Sequence, residues 1–200
     1  LKDVTYMAVR RSAYRMMVIS KSAKIADYLK DALPADMCRD MVCVTNVGEA
    51  KRALVSTWFD IVIINTPLGD DFGLQAAIDI SQQNPVGVIL LVKNDMYEEV
   101  SYRVEDYGIM TVPKQTTRQM LYLAVKMMAA VQVKIKGMAE ETTKLKSKLK
   151  ELKLVDRAKW ILIDQLKMSE TQAHKYIEKQ AMDRCVKREE IAENIIRTYG

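Results

Sequence analysis

Five short apolar segments alternate with amphipathic segments along the first two thirds of the chain. Apolar residues at helical spacing follow the first segment, through Ile25 and Leu29, and the second, through Ala50, Leu54 and Trp58. Further helical segments lie near 72–82, 96–106 and 117–131. Strands that are apolar along their whole length and alternate with helices predict a parallel sheet covered on both faces. The predicted strands are Met16–Ser20, Met41–Val44, Ile61–Ile64, Val86–Val92 and Ile109–Val112.

These strand–helix units predict one α/β domain over residues 13–131, after an N-terminal tail at 1–12. Their number and spacing fit a doubly wound, flavodoxin-like fold with a five-stranded parallel sheet. Ligand chemistry in such a sheet belongs at the carboxyl ends of the strands. Candidate functional residues of this domain are therefore expected at those ends.

The helical pattern continues beyond residue 131 as a heptad stripe over 132–152. Apolar positions recur at intervals of 3, 4, 3, 4 and 3 residues, flanked by lysines at 144, 146, 148 and 150. This spacing predicts a coiled-coil linker helix that pairs two copies of the chain, although a single solvated helix packing on its own chain has the same pattern. Gly137 is the weak point of the stripe and marks a candidate bend. The stripe residues are Ile135, Met138, Thr142, Leu145, Leu149 and Leu152.

Residues 153–200 predict an all-α module of three short helices. Val155, Ala158, Leu162 and Leu166 continue the first helix. Ser169 is a good N-cap for the second helix, with Gln172 three residues on as its capping-box partner. Apolar stripes through Ala173, Tyr176, Ile177, Gln180 and Ala181 and through Ile191, Ala192, Ile195 and Ile196 define the other two helices. Such a small core is expected to depend on the adjoining coil for stability.

Charge and cysteine content narrow the classes of function. The net charge is +5, and the excess lies in residues 132–150, which carry 6 basic and 2 acidic side chains. This is compatible with a polyanionic partner. Three cysteines without a Cys-x-x-Cys pair fit a reducing cytoplasm, and a single histidine argues against a His/Cys zinc site. No membrane-length segment or signal peptide is visible, and a first residue of Leu1 rather than Met is consistent with a trimmed N-terminus.

The first domain resembles the receiver family of signalling proteins over its whole length, by strand order and spacing. That resemblance implies a CheY-like fold in which two acids after the first strand hold Mg²⁺ and an Asp ending the third strand accepts a phosphoryl group. Here Ser20 and Lys21 follow the first strand, Asn65 stands in place of the Asp, and Val92 replaces the hydroxyl residue that ends the fourth strand. Only Lys114 matches, and it follows Pro113 rather than preceding a proline.

A neutral amide cannot form an acyl phosphate, so these departures predict a pseudo-receiver that lacks phosphoryl chemistry. Lys21 could supply the charge of the missing metal by pairing with Asp70 or Asp71, or it could be an ordinary solvated lysine, and the sequence favours neither. A sensory protein partner or a small ligand is then the expected input. No cofactor is implied.

The last fifty residues resemble the ANTAR family of bacterial antitermination regulators. The matching residues are Ala158-Lys159, Leu162, Ser169-Glu170, Ala173, Gln180-Ala181-Met182-Asp183 and Ile191-Ala192. Trp160 stands where the family commonly has Gly, and His174 stands where it has Tyr or Phe. The resemblance implies binding of paired RNA hairpins in nascent transcripts, which favours the antiterminator.

Such a module should offer cations to phosphates and flat side chains to unpaired bases. His174 and Trp160 are candidates for stacking, although Trp160 could instead pack on a neighbouring helix or chain, and each cation could simply face solvent. Glu178, Glu189, Glu190 and Glu193 would repel phosphate if they shared a face with the cations. The RNA-binding candidates are Arg157, Lys159, His174, Lys175, Lys179, Arg184, Lys187 and Arg188.

The leading hypothesis is a cytoplasmic, dimeric RNA-binding antiterminator with no catalytic residues and no membrane attachment. The absence of a Ser/His/Asp set, a Cys/His pair and a Gly-rich phosphate loop argues against an enzyme. A DNA-binding response regulator is one alternative, although its recognition helix would carry the acids at 189, 190 and 193. A protein-interaction adaptor without nucleic-acid binding is the other.

Overall fold

The computed structural model describes residues 13–68 and 72–200, so the predicted N-terminal tail at 1–12 and the acids Asp70 and Asp71 lie outside the described residues. The chain forms two compact units that meet between Ile135 and Lys136. In the first unit the elements are β1 (Tyr14–Ile19), α1 (Lys24–Ala32), β2 (Cys38–Val44), α2 (Val47–Ser56), β3 (Ile61–Asn65), α3 (Leu74–Gln83), β4 (Gly87–Val92), α4 (Tyr97–Val104) and β5 (Met110–Pro113). They are followed by α5 (Arg118–Leu166), which continues into the second unit, and by α6 (Glu170–Asp183) and α7 (Arg188–Tyr199).

The sheet has five parallel strands in the order β2-β1-β3-β4-β5. This is the flavodoxin-like order, and it confirms the predicted fold class. Side chains that alternate along each strand feed two apolar cores, one on each face of the sheet. Met17, Val62 and Leu90 belong to the core that α2, α3 and α4 cover. Met16, Ile63 and Ile89 belong to the other core, with α1 and the start of α5.

Two helices of the first unit differ from their predictions. Trp58 does not belong to α2, because Thr57 is extended and donates its N–H to Ala53 O, which closes the helix before the chain turns into β3. The predicted helix at 96–106 is α4 between two short 3₁₀ turns, Asn94–Met96 and Glu105–Tyr107. Gly108 follows in a left-handed conformation, with a φ of 67°, which stops the helix and leads into β5.

The long helix α5 is continuous through Gly137, so this residue does not interrupt the helix. A Cβ at this position would meet no atom within 4 Å, which shows that no close contact requires the glycine. Strong helix formers follow Gly137 directly, with Met138, Ala139, Glu140 and Glu141, and favour continuation of the helix. None of the helices in the described ranges has an apolar stretch that could cross a membrane.

The second unit is a three-helix bundle with its own apolar core. Each helix supplies three buried residues at helical spacing, and α6 has the predicted capping box between Ser169 and Gln172. Leu166 continues α5 as predicted, and 43% of the residue is exposed. It is the last residue of α5, and Lys167 directly after it has a φ of 53°, which turns the chain away from the core. The buried residues are Val155, Ala158, Leu162, Ala173, Ile177, Ala181, Ile191, Ala192 and Ile195.

Candidate functional sites

At the carboxyl edge of the sheet, a serine hydroxyl and an asparagine side-chain amide form a hydrogen bond. Ser20 directly follows β1 and is buried, and Asn65 is the last residue of β3. The Asn65 Nδ2 donates a hydrogen bond to Ser20 Oγ at 2.9 Å. The same Ser20 Oγ accepts from Ser22 N at 3.0 Å and donates to Ser22 O at 3.1 Å. Two neutral groups at this position satisfy each other, whereas clustered carboxylates would need a cation between them.

Lys114 lies at the same edge, directly after β5. Its backbone N–H donates to Val92 O at 2.7 Å, and its Nζ donates to the carbonyl oxygen of Thr66. Burial, followed by repulsion from Lys93, lowers the pKa of Lys114 below its ordinary value. Val92 itself is fully buried, so it contributes packing rather than a polar group. The structure thus brings Ser20, Asn65, Val92 and Lys114 to one edge, as expected from the sequence.

Lys21 is the fifth residue of the predicted degenerate site, and it is exposed. Its suggested partners, Asp70 and Asp71, lie outside the described residues, so the proposed ion pair remains a prediction.

A cavity of about 390 Å³ opens beside Asn65 and Lys114, between α1 and the segment that joins β5 to α5. The hydroxyl of Tyr28 donates to Thr116 O at 3.1 Å and ties the two sides together. Sequence reasoning missed this cavity because its wall comes from residues almost one hundred positions apart, and no local pattern connects them. The wall is formed by Ser22, Lys24, Ile25, Tyr28, Asn65, Leu91, Pro113, Lys114, Thr116 and Leu121.

In the second unit, two of the candidate RNA-binding residues, Lys159 and Arg188, make ion pairs within the protein. Lys159 lies 2.9 Å from Asp156 and 3.3 Å from Glu170, and the hydrogen bond to Asp156, then that to Glu170, raises its pKa. Arg188 lies 3.0 Å from Glu151. The pairs with Glu170 and Glu151 link helices of the bundle, and all three contacts leave fewer donors for a phosphate.

Three of the four glutamates that could repel phosphate also lie against basic side chains of the protein. Glu178 lies 3.3 Å from His174 and 3.7 Å from Arg188. Lys150 lies 2.9 Å from Glu189 and 4.0 Å from Glu193. Because cations of the protein neutralise these carboxylates, their repulsion of a nearby polyanion is weaker than the sequence alone suggests.

A different surface of the bundle carries lysines that are not paired. Lys167, Lys175 and Lys179 line one groove together with Gln172 and the ring of Tyr176, and we call these five residues the lysine face. In the described part of the chain, no ion-pair partner lies against any of the three lysines. Sequence reasoning found Lys175 and Lys179 but missed Lys167 and Tyr176, because only the turn after α5 brings Lys167 beside α6.

The remaining candidates are spread over the surface of the second unit. Arg157 and Lys187 are exposed, and Arg184 lines a separate hollow with Tyr199 between α6 and α7. Trp160 is 71% exposed, so it does not pack against a neighbouring helix of its own chain.

The predicted coil residues form an exposed, largely apolar stripe on α5. In the second unit Met138, Leu145, Leu149 and Leu152 are between 53% and 59% exposed. Thr142 donates its hydroxyl hydrogen to Met138 O at 2.8 Å, which satisfies the one polar side chain of the stripe. In the first unit Ile135 is similarly exposed. The stripe there starts earlier than the sequence prediction, with Met120, Leu123, Met127 and Val131 also exposed.

Comparisons with known proteins agree with both halves of this description. The family model of the ANTAR domain matches residues 143–196. The transcriptional regulatory protein PdtaR of Mycobacterium tuberculosis (strain H37Rv) is 28% identical over 142 residues, which cover 70% of this chain and 69% of that protein.

Solved structures of receiver domains resemble the first unit. The signal receiver domain of an HD domain-containing protein from Pseudomonas fluorescens Pf-5 has a TM-score of 0.56 at 20% identity, covering 67% of this chain and 98% of that one. A CheY-like response regulator receiver domain protein from Methanospirillum hungatei JF-1 has a TM-score of 0.53 at 17% identity, covering 62% and 98% of the two chains. At these identities the likeness establishes the fold. The chain thus combines a receiver fold in its first unit with a match to the ANTAR domain over residues 143–196.

Proposed function

We propose that this protein is a dimeric RNA-binding regulator of transcription antitermination whose receiver domain works without phosphorylation. The observation that carries the proposal is the lysine face, a cationic and aromatic surface within an ANTAR domain. The regulatory relative from Mycobacterium tuberculosis supports a role in transcription.

The lysine face has the composition that a folded RNA requires. Lys167, Lys175 and Lys179 offer ammonium groups to phosphates, and each such contact releases condensed counterions. Tyr176 lies among them with 37% of its surface exposed, so part of its ring is available to stack on an unpaired base. Because the net charge of residues 151–200 is only +1 (10 basic and 9 acidic), this local concentration of unpaired cations matters more than the total charge.

Pairing of two chains through the α5 stripe would place two lysine faces in one particle. The apolar residues of the stripe recur at coiled-coil spacing, and none of the described residues covers them. Two linked RNA-binding surfaces raise the apparent affinity for a transcript that presents two hairpins, provided that both can be engaged together. This arrangement compensates for the low charge of a single module.

The neutral pair of Ser20 and Asn65 supports an input other than phosphate. An aspartyl phosphate needs a carboxylate nucleophile and a bound divalent cation, and the end of β3 offers an amide that already donates to Ser20 Oγ. Incubation with acetyl phosphate and Mg²⁺, followed by intact-mass measurement, should leave the protein unmodified. Stoichiometric addition of a phosphoryl group to residues 61–68 would refute this part of the proposal.

The RNA-binding part is tested with a pool of RNA hairpins that carry randomised loops, measured by filter binding against a duplex DNA of equal length. We expect selective retention of RNA by the full chain. Changing Lys175 and Lys179 to Gln should weaken RNA binding by roughly 30-fold, at about 1 kcal/mol for each exposed charge contact. It should also lower the slope of log K against log salt by about 2, which is about 1 for each lost phosphate contact.

The matched control changes Lys30 and Arg39 to Gln, because both are exposed, lie in the first unit and remove the same charge. This control should keep RNA affinity and the salt slope close to those of the unaltered protein. Equal losses in the two double variants would mean that net charge, not the lysine face, binds RNA. Preference for the duplex would favour a DNA-binding regulator, and retention of neither nucleic acid would favour a protein-interaction adaptor.

A further inference from the structure

The cavity beside Asn65 and Lys114 combines cations with an apolar wall. Lys24 and Lys114 line it, and none of its described lining residues is acidic. Lys21 and Lys93 stand at the same edge of the sheet, after β1 and β4. Receivers hold a metal with carboxylates at this edge, whereas here two lysines line the cavity and two more follow β1 and β4. Positive charge dominates the described lining of the cavity, so an anion rather than a cation fits it.

Lys114 supplies a second reason for an anionic occupant. Its Nζ donates to the carbonyl oxygen of Thr66, and the part of the chain that the structure describes gives it no carboxylate partner. A partly buried ammonium group without a counter-ion is costly in free energy, and the cost is relieved by a bound anion. The lowered pKa of Lys114 reports this unfavourable surrounding.

The rest of the wall indicates what the anion is attached to. Ile25, Leu91, Pro113 and Leu121 provide apolar surface, and the ring of Tyr28 is fixed by its hydrogen bond to Thr116 O. A volume of about 390 Å³ is near the lower end of the range of small-molecule sites. It suits a compact molecule with one charged end and one apolar end.

We propose that this cavity binds a small organic anion, a carboxylate or phosphate with an aromatic or aliphatic body, and that the ligand serves as the input of the receiver domain. The anionic group lies between Lys24 and Lys114, and the apolar body packs against Leu91 and Leu121. This rests on the proposed independence from phosphorylation. The acetyl phosphate experiment tests that independence separately, since ligand binding is measured without any phosphoryl donor.

Phenylacetate is a suitable probe. Phenylacetamide is the control of the same shape without the charge, and inorganic phosphate is the control with charge but without an apolar part. Titration of the full ¹⁵N-labelled chain, followed by heteronuclear NMR, gives both the affinity and the residues affected. We expect phenylacetate to shift the amide signals of Ser22, Asn65 and Thr116 and to bind about tenfold or more tightly than phenylacetamide, because a charge-assisted contact is stronger than a neutral one. Inorganic phosphate should bind more weakly than phenylacetate.

Lys114→Gln should abolish the difference between acid and amide while the amide affinity stays unchanged. Lys30→Gln is the matched control, because Lys30 is an exposed lysine on α1 that does not line this cavity, and it should preserve the difference. Equal binding of acid and amide to the unaltered protein would overturn the proposal. So would signal changes confined to the second unit, an unchanged preference in Lys114→Gln, or no binding of phenylacetate at millimolar concentration.

Discussion

The apolar stripe on α5 gives a prediction that can be worked out in numbers. Leu145 and Leu149 are 59% and 53% exposed in the single chain, so about half of each side chain is still available for burial in a dimer. Changing Leu to Ala removes about three methylene equivalents, each worth about 0.8 kcal/mol when buried. The loss is therefore about 1.3 kcal/mol for each site, or about 5 kcal/mol for the four sites in a dimer of the double variant.

At about 1.4 kcal/mol for each tenfold change, this corresponds to a rise in the dimer Kd of more than about a thousandfold. Alanine has a higher helix propensity than leucine, so α5 itself should persist in the variant Leu145→Ala/Leu149→Ala. Sedimentation equilibrium over a range of protein concentrations measures the Kd directly, and far-UV circular dichroism checks that the helices remain.

Val133→Ala is the matched control, because Val133 is equally exposed, at 59%, and lies on the same helix. Two residues from Ile135, at about 100° for each residue, it points about 200° away from the stripe. The control should dimerise like the unaltered protein. A double variant with an unchanged Kd, or an unaltered protein that stays monomeric both alone and with a two-hairpin RNA, would refute pairing through this stripe.

Three further predictions concern stability of the folded chain. Ser169→Ala should destabilise the second unit by about 1 kcal/mol, through loss of the capping box, as read from Trp160 fluorescence in a Trp58→Phe background; an unchanged urea midpoint would contradict this. Gly87→Ala should cost about 1–3 kcal/mol, because its Cβ would lie 2.5 Å from Met128 Cγ, and Met128→Ala should recover part of that loss rather than add fully to it. The Glu49 carboxylate accepts a hydrogen bond from the Thr45 backbone N–H, and this is the main cause that lowers the Glu49 pKa. The ionised carboxylate therefore stabilises the fold above the ordinary pKa of Glu. This stability is lost as the pH falls through the lowered pKa of Glu49. Glu49→Gln should flatten this acid-side decline in urea titrations, and a decline as steep as in the unaltered chain would oppose it.

Several elements could be predicted because their causes are local in the sequence. β3 is a run of β-branched residues that can be buried on both faces, and such a run is typical of an inner parallel strand whatever its neighbours are. The capping box of α6 needs only Ser169 and a glutamine three residues on. The heptad stripe likewise follows from spacing along one helix. Its start in the first unit was missed because residues 117–131 were assigned to the last helix of the receiver domain.

Only the tertiary structure determines which side chains lie together in the candidate sites. Ser20 and Asn65 are 45 positions apart, and only the neighbouring placement of β1 and β3 lets their side chains bond. Arg188 and Glu151 are 37 positions apart, and their ion pair removes an RNA-binding candidate that the sequence could not distinguish from Lys175. Charge and periodicity along a chain identify which residue types are present, but packing determines which of them neutralise each other. The sequence by itself thus determined the fold class, the missing acids and the ANTAR resemblance, whereas packing determined the lysine face and the cationic cavity, because both depend on contacts between distant segments.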